Sequence, residues 1–155
     1  MSNFVFYDFE TSSSNKQWGQ IIEVGAILVD DQLNELDRFE SRSRLSPGII
    51  PEAMSLIVSN TTPKKLKETN MSHFNMMIEL RKYIEKWSPC VWGSWNGISF
   101  DFPLIQKENY KTLLPIYATN TNGNEHTDYL PVARTSKIFF PNALETNYSE
   151  QKNPI

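Results

Sequence analysis

The sequence predicts an α/β fold, a mixed sheet flanked by helices, and three observations carry that prediction. Apolar and β-branched runs with strand character fill the first part of the chain, at Phe4 to Phe9, Ile21 to Val29 and Glu35 to Arg44. Met77, Leu80, Ile84 and Trp87 then fall at spacings of three, four and three, which places them on one face of an amphipathic helix. Beyond that helix a second buried-strand run, Cys90 to Trp95, leads at once into another helix start near Ser99.

Taken in order, the first run ends near Glu10, because the polar stretch Thr11 to Asn15 follows it. Asp30-Asp31 marks a turn between the second and third runs, so the three read as an antiparallel meander. Pro47, Gly48 and Pro51 break the pattern; Glu52 to Val58 then reads as a short helix, and Thr62-Pro63 as an N-cap with proline at the first helical position. The amphipathic helix begins near Ser72 and stops before Pro89. Asn96-Gly97 reads as a turn, Ser99 as the N-cap of the next helix, and Pro103 as part of its first turn. Thr119 to Thr127 reads as a loop, Tyr129 to Phe140 as a helix ended by Pro141, and Glu145 to Ile155 as a polar tail without period. This succession is compatible with a ribonuclease-H-like architecture.

At 155 residues, with 39% hydrophobic and 21% charged residues, the chain is long and apolar enough for one folded domain. No run approaches the ~18 apolar residues of a membrane span, and the start of the chain lacks the basic and apolar regions of a signal peptide, so a cytoplasmic protein without membrane contact is expected. Cys90, the single cysteine, sits in an apolar run and reads as a buried thiol. A formal net charge of -3 argues against bulk electrostatic coating of nucleic acid, yet it is compatible with an enzyme that holds cations on clustered carboxylates.

Asp8 and Glu10 stand two apart at the end of the first strand, where side chains at i and i+2 share a face and both carboxylates can serve one cation. An isolated Asp-x-Glu reads first as a solvated strand end. What changes the reading is Asp101, a third acid in a similar setting: strand, Asn-Gly turn, then an acid opening a helix. Alone it would be a first-turn acid complementing the helix dipole. Together the three suggest a two-metal site.

Here the chain resembles a known family. Phe6-Tyr7-Asp8-Phe9-Glu10-Thr11 is similar to the first motif of the DEDD superfamily of proofreading-type 3′→5′ exonucleases, and Trp95-Asn96-Gly97 with Phe100-Asp101 to the second. Thr127 to Arg134 resembles the strand-to-helix element that precedes the third. The match runs in order from about residue 4 to residue 145, and within the superfamily it looks most like bacterial exonuclease I. The resemblance implies that Asp8, Glu10 and Asp101 are catalytic metal ligands for two magnesium or manganese ions, about 3.5–4 Å apart in such sites. It implies single-stranded DNA as substrate and Thr11 as a substrate contact; Trp18, Asn96 and Asp128 are further candidate substrate contacts, and RNA is a further option because no residue can be placed against a 2′-hydroxyl. Protein partners are unknown from the sequence.

The pattern departs from the family at its third motif, which requires a fourth carboxylate preceded by a histidine or tyrosine. No aspartate follows Asp128, so Tyr148 does not qualify; His73 and His126 read as surface residues. Residues 1–155 are therefore expected to be the N-terminal part of a single exonuclease domain, impaired or inactive alone, with the third-motif helix and any further domains beyond it. Asp128 is the candidate within the chain for part of the missing ligand's role. Loss of the covering helix would expose apolar surface and favour dimerisation or aggregation. Lys64, Lys65 and Lys67, and Arg42 and Arg44, are candidate phosphate contacts or solvated surface. Trp18 and Trp95 are candidates for stacking on a base, Trp95 equally for the core. The alternatives to a DNA exonuclease are a non-catalytic nucleic-acid-binding or interaction remnant of the same fold, and an exoribonuclease.

Overall fold

The computed structural model describes residues 3–139. Five strands form one sheet: β1 (Asn3–Thr11), β2 (Ile21–Val29), β3 (Glu35–Arg42), β4 (Cys90–Ser94) and β5 (Glu125–Asp128). Their order is β3-β2-β1-β4-β5. β1, β2 and β3 pair antiparallel as the expected meander, whereas β4 lies parallel to β1 and β5 parallel to β4. Five helices accompany them: α1 (Ala53–Val58), α2 (Pro63–Glu68), α3 (His73–Trp87), α4 (Asp101–Lys111) and α5 (Tyr129–Phe139). No helix among the described residues is long and apolar enough to cross a membrane.

Local chemistry explains most boundaries. The β2–β3 turn closes on Asp30, whose Oδ1 accepts the Gln32 and Asn34 amides at 2.9 and 2.8 Å. Thr62 caps α2 through the Lys65 amide at 3.1 Å, and Ser72 caps α3 through the Asn75 amide at 3.1 Å. β3 is an edge strand carrying Glu35, Arg38 and Glu40, the charged pattern that discourages pairing with another chain. Trp87 Nε1 and Lys86 Nζ donate to Asp37 on β3, at 2.8 and 2.7 Å, and fasten the end of α3 to that edge.

Alternation along β1 sorts its side chains onto two faces. Val5, Tyr7 and Phe9 enter the core with Met76, Met77, Leu80, Ile84 and Trp87 of α3 and Leu104 and Ile105 of α4. Phe6, Asp8 and Glu10 take the opposite face, where Phe6 remains 38% exposed. The pleat therefore separates the acids from the core.

Several expectations are corrected. Within the expected loop Thr119 to Thr127 lie a 3₁₀ turn, Ala118–Asn120, and the start of β5, a strand of four polar residues that forms because the open edge of β4 offers it hydrogen bonds. Ser99 is not the N-cap of α4; Phe100 takes that position without a side-chain bond, and the Gly97 carbonyl accepts the Phe102 amide at 2.8 Å instead. His73 is buried, its Nε2 2.8 Å from Glu108 Oε2, and His126 is half-buried, its Nε2 3.0 Å from Tyr7 Oη, so neither is a surface residue. Arg44 lies just past β3. Cys90 is buried as expected. Phe140, the polar tail and Tyr148 fall outside the described residues.

Gly93 reports on how closely α5 packs against β4, because a Cβ there would overlap the Tyr129 ring, whereas a Cβ on Gly25 would meet nothing within 4 Å. Gly93→Ala is expected to lower unfolding stability by about 1–3 kcal/mol in urea titration, and Gly25→Ala to leave it essentially unchanged.

Candidate active site

β1 and β4 pair from Asn3↔Cys90 to Phe6↔Gly93 and then part. A cleft opens beyond the carboxyl ends of these parallel strands, the position where open α/β sheets bind ligands. Asp8 and Glu10 enter it from β1 and Asp101 from the first residue of α4. The cleft measures about 460 Å³; Thr11, Trp95 and Asn96 also line it, and α1 contributes Met54, Ser55 and Val58 as a wall.

The three acids differ in surroundings. Asp8 is exposed, Glu10 half-buried, and Asp101 only 3% exposed, with Ser94 Oγ donating to its Oδ2 at 3.2 Å. Burial, and then the charge of Asp8, push the Asp101 carboxyl up to about 7 against the opposing Ser94 hydrogen bond. Glu10 is raised as well, by burial and then by Asp8 and Glu23. Carboxyls gathered in one cleft are relieved by a cation, and hard oxygen donors suit a divalent one. In the side-chain arrangement described, no three His, Cys, Asp or Glu groups among the described residues close around a single ion position.

The remaining candidates separate. Thr11 lines the cleft while its hydroxyl donates to the Ser13 carbonyl at 2.9 Å. Asn96 sits at the rim with φ 60, held by its backbone amide. Trp95 is 58% exposed and lines the cleft, so it is wall and not core; Trp18, 73% exposed, is not among the lining residues. Asp128 is 8% exposed, and its carboxylate accepts the amides of Asn96 (3.0 Å), Ile98 (3.2 Å) and Leu130 (2.9 Å). The sequence offers it as a substrate contact or replacement ligand; its oxygens are engaged with backbone amides, and it is not among the residues that line the cleft. Arg42 is bound to Glu23 (Nε 3.0 Å), which removes it as a free phosphate contact, and Lys64 lies 3.8 Å from Glu68.

Sequence reading missed the groups that hold the cleft walls. Glu52, just before α1, accepts from Ser13 Oγ at 2.7 Å and the Ser14 amide at 3.0 Å, pinning α1 to the loop after Thr11. Lys107 of α4 donates to the carbonyls of Lys16 and Gly19, and Lys16 Nζ to the Ser99 carbonyl at 2.8 Å. These contacts span 38 to 91 positions, and nothing in local composition signals them.

No protein-family model matches the chain. Similar curated proteins are exodeoxyribonucleases I of Buchnera aphidicola: that of the Schizaphis graminum symbiont is 22% identical over 155 residues, 99% of this chain and 32% of the relative. That of the Acyrthosiphon pisum symbiont is 24% identical over 144 residues, 92% of this chain and 35% of the relative. Exonuclease I of E. coli in complex with a dT13 oligonucleotide superposes with a TM-score of 0.84 at 16% identity, over 92% of this chain and 31% of that one. The moderately thermophilic exonuclease I from Methylocaldum szegediense gives 0.85 at 18% identity, over 94% and 31%. The chain is similar to exonucleases I in sequence and in fold. It has the fold expected from its motifs, a mixed, ribonuclease-H-like sheet with helices, and it spans about a third of the length of the curated relatives it matches.

The raised Asp101 carboxyl has a thermodynamic consequence. Its folded value, about 7, lies above the ~4 of an unfolded aspartate, so folding favours the protonated form. That contribution is fully present below about pH 4 and is lost as pH rises through about 7. Relative to Asp101→Asn, the metal-free protein is therefore expected to lose urea-unfolding stability between pH 4 and 7. A constant difference across that window would contradict the assignment.

Proposed function

We propose that this chain carries the catalytic carboxylates of a 3′→5′ exonuclease that hydrolyses single-stranded DNA. The observation that carries the reading is the meeting of Asp8, Glu10 and Asp101, from two motifs more than ninety positions apart, in one cleft at the carboxyl ends of β1 and β4. The exonuclease I likeness supports it over the whole described chain.

In this reading Asp8, Glu10 and Asp101 hold two magnesium or manganese ions, to which their hard oxygens are suited. Such ions, when bound, supply a water nucleophile at neutral pH and offset charge developing on the phosphate. The chain's own groups do the rest. Asp101, pushed up to about 7 in the metal-free protein, is the carboxyl whose ionised form a cation in the cleft would favour. Thr11 and the rim at Asn96 flank the acids, and Trp95, Met54 and Val58 provide apolar surface against which a base packs without sequence preference. His126 does not serve as general base, because Nε2 is engaged with Tyr7 and burial pushes the ring down to about 4. No acid preceded by a histidine or tyrosine at the family's spacing stands among these 155 residues, so slow hydrolysis is the expectation for them in this reading. The single-stranded DNA preference follows the relatives: E. coli exonuclease I is seen with dT13 and with dA16.

The test follows a 5′-labelled single-stranded DNA, with an RNA of the same sequence alongside, in magnesium or manganese. Expected are cation-dependent binding of the DNA and slow shortening from its 3′ end, both abolished by Asp8→Ala and by chelation. Shortening that persists in Asp8→Ala would overturn the site assignment, and preferential shortening of the RNA would overturn the substrate.

A further inference from the structure

Asp128 is a buried carboxylate outside the acid cluster, and its hydrogen bonds lead back to that cluster. Its Oδ1 accepts the amides of Asn96 and Leu130, and its Oδ2 that of Ile98. The first and last of these flank Gly97. Between them the chain makes a tight turn in which Asn96 has φ 60, a left-handed conformation that a non-glycine residue adopts only when its surroundings demand it.

Gly97 is pressed onto Ser94, since a Cβ there would overlap Ser94 Oγ and would lie 3.6 Å from Asp101 Oδ2. Ser94 Oγ is the group that donates to Asp101. On the other side, the Gly97 carbonyl accepts the amides of Phe100 and Phe102, at 3.2 and 2.8 Å. It thereby does for the first turn of α4 what a capping side chain does elsewhere, the Phe100 N-cap having none. The position of Gly97 thus sets both the start of the helix that bears Asp101 and the hydroxyl that orients its carboxylate. The position of Gly97 in turn depends on the two flanking amides.

We propose that Asp128 is a positioning residue: through the Asn96–Ile98 turn it seats Asp101 in the cleft, and the metal affinity of the site depends on it although it touches no ion. A neutral acceptor would not do the same, because the three amides converge on both carboxylate oxygens and an Asn would turn an N–H₂ toward one of them. The inference rests on the metal-binding reading above, with Asp101 as a ligand.

Asp128→Ser separates this role from simple capping of α5. Serine still accepts the Leu130 amide as an N-cap but is too short to bridge to Asn96 and Ile98. Manganese binding to the full metal-free chain is titrated calorimetrically for wild type, Asp128→Ser and Gly97→Ala, at a temperature where circular dichroism shows each folded. Both variants are expected to bind manganese about 10–100-fold more weakly than wild type, the usual effect of removing a ligand's supporting contact. Amide exchange at Asn96 and Ile98 is expected to quicken in Asp128→Ser. If a folded Asp128→Ser binds manganese as wild type does, Asp128 is only a structural fastening and the proposal fails. Should that variant not fold, Asp128→Asn decides in its place, since it keeps the size of the side chain and turns an N–H₂ toward one of the converging amides: manganese binding about 10–100-fold weaker is expected, and binding unchanged from wild type would overturn the proposal. Wild type that binds no manganese would instead bring down the metal-binding reading itself, and the proposal with it.

Discussion

Carboxylates gathered at the edge of a low-dielectric interior repel, and the architecture around β1 and β4 brings three of them, Asp8, Glu10 and Asp101, to one cleft. The β1 pleat turns Asp8 and Glu10 away from the core that Val5, Tyr7 and Phe9 build. The parting of β1 and β4 after Phe6 and Gly93 makes room beyond the strands. The positive end of the α4 dipole and the Ser94 hydroxyl favour the ionised form of Asp101, and burial together with Asp8 outweighs them. In the proposed reading a divalent cation resolves the conflict.

A strained arrangement of this kind needs stiff walls, and the contacts that supply them are long in sequence and polar in chemistry. Glu52 joins α1 to the loop after β1, and Lys107 joins α4 to the other end of that loop. His73 and Lys107 converge on Glu108, which lies 2% exposed on α4. Burial alone would raise the Glu108 carboxyl, but the bonds from His73 and Lys107 outweigh it and hold it below its ordinary value. One helix thus carries an acid left in electrostatic conflict at its first turn and a satisfied one at its third.

Much of this was legible in the sequence where the signal is local. Alternation in β1 and the spacing of Met77, Leu80, Ile84 and Trp87 follow from burial of one face, and the acids stand out because Asp8 and Glu10 interrupt an aromatic run. What was not legible depends on partners far along the chain. Glu125 to Asp128 has no strand-forming composition and pairs only because β4 presents an edge. Ser99 looks like a cap, but the Gly97 carbonyl had already taken the amide it would serve. His73 looks like a surface residue until Glu108, 35 positions on, is folded against it. Asp128 reads in the sequence as a candidate for part of the missing ligand's role because its element runs beside the site; its three backbone amides appear only once the turn at Asn96 is built.

The central claim is that Asp8, Glu10 and Asp101 converge on divalent cations. Anomalous diffraction at the manganese edge from crystals of the protein soaked in manganese tests it without depending on turnover. Anomalous peaks are expected in the cleft within coordination distance of these three carboxylates. An empty cleft at saturating manganese, or a peak held by other residues, would contradict it.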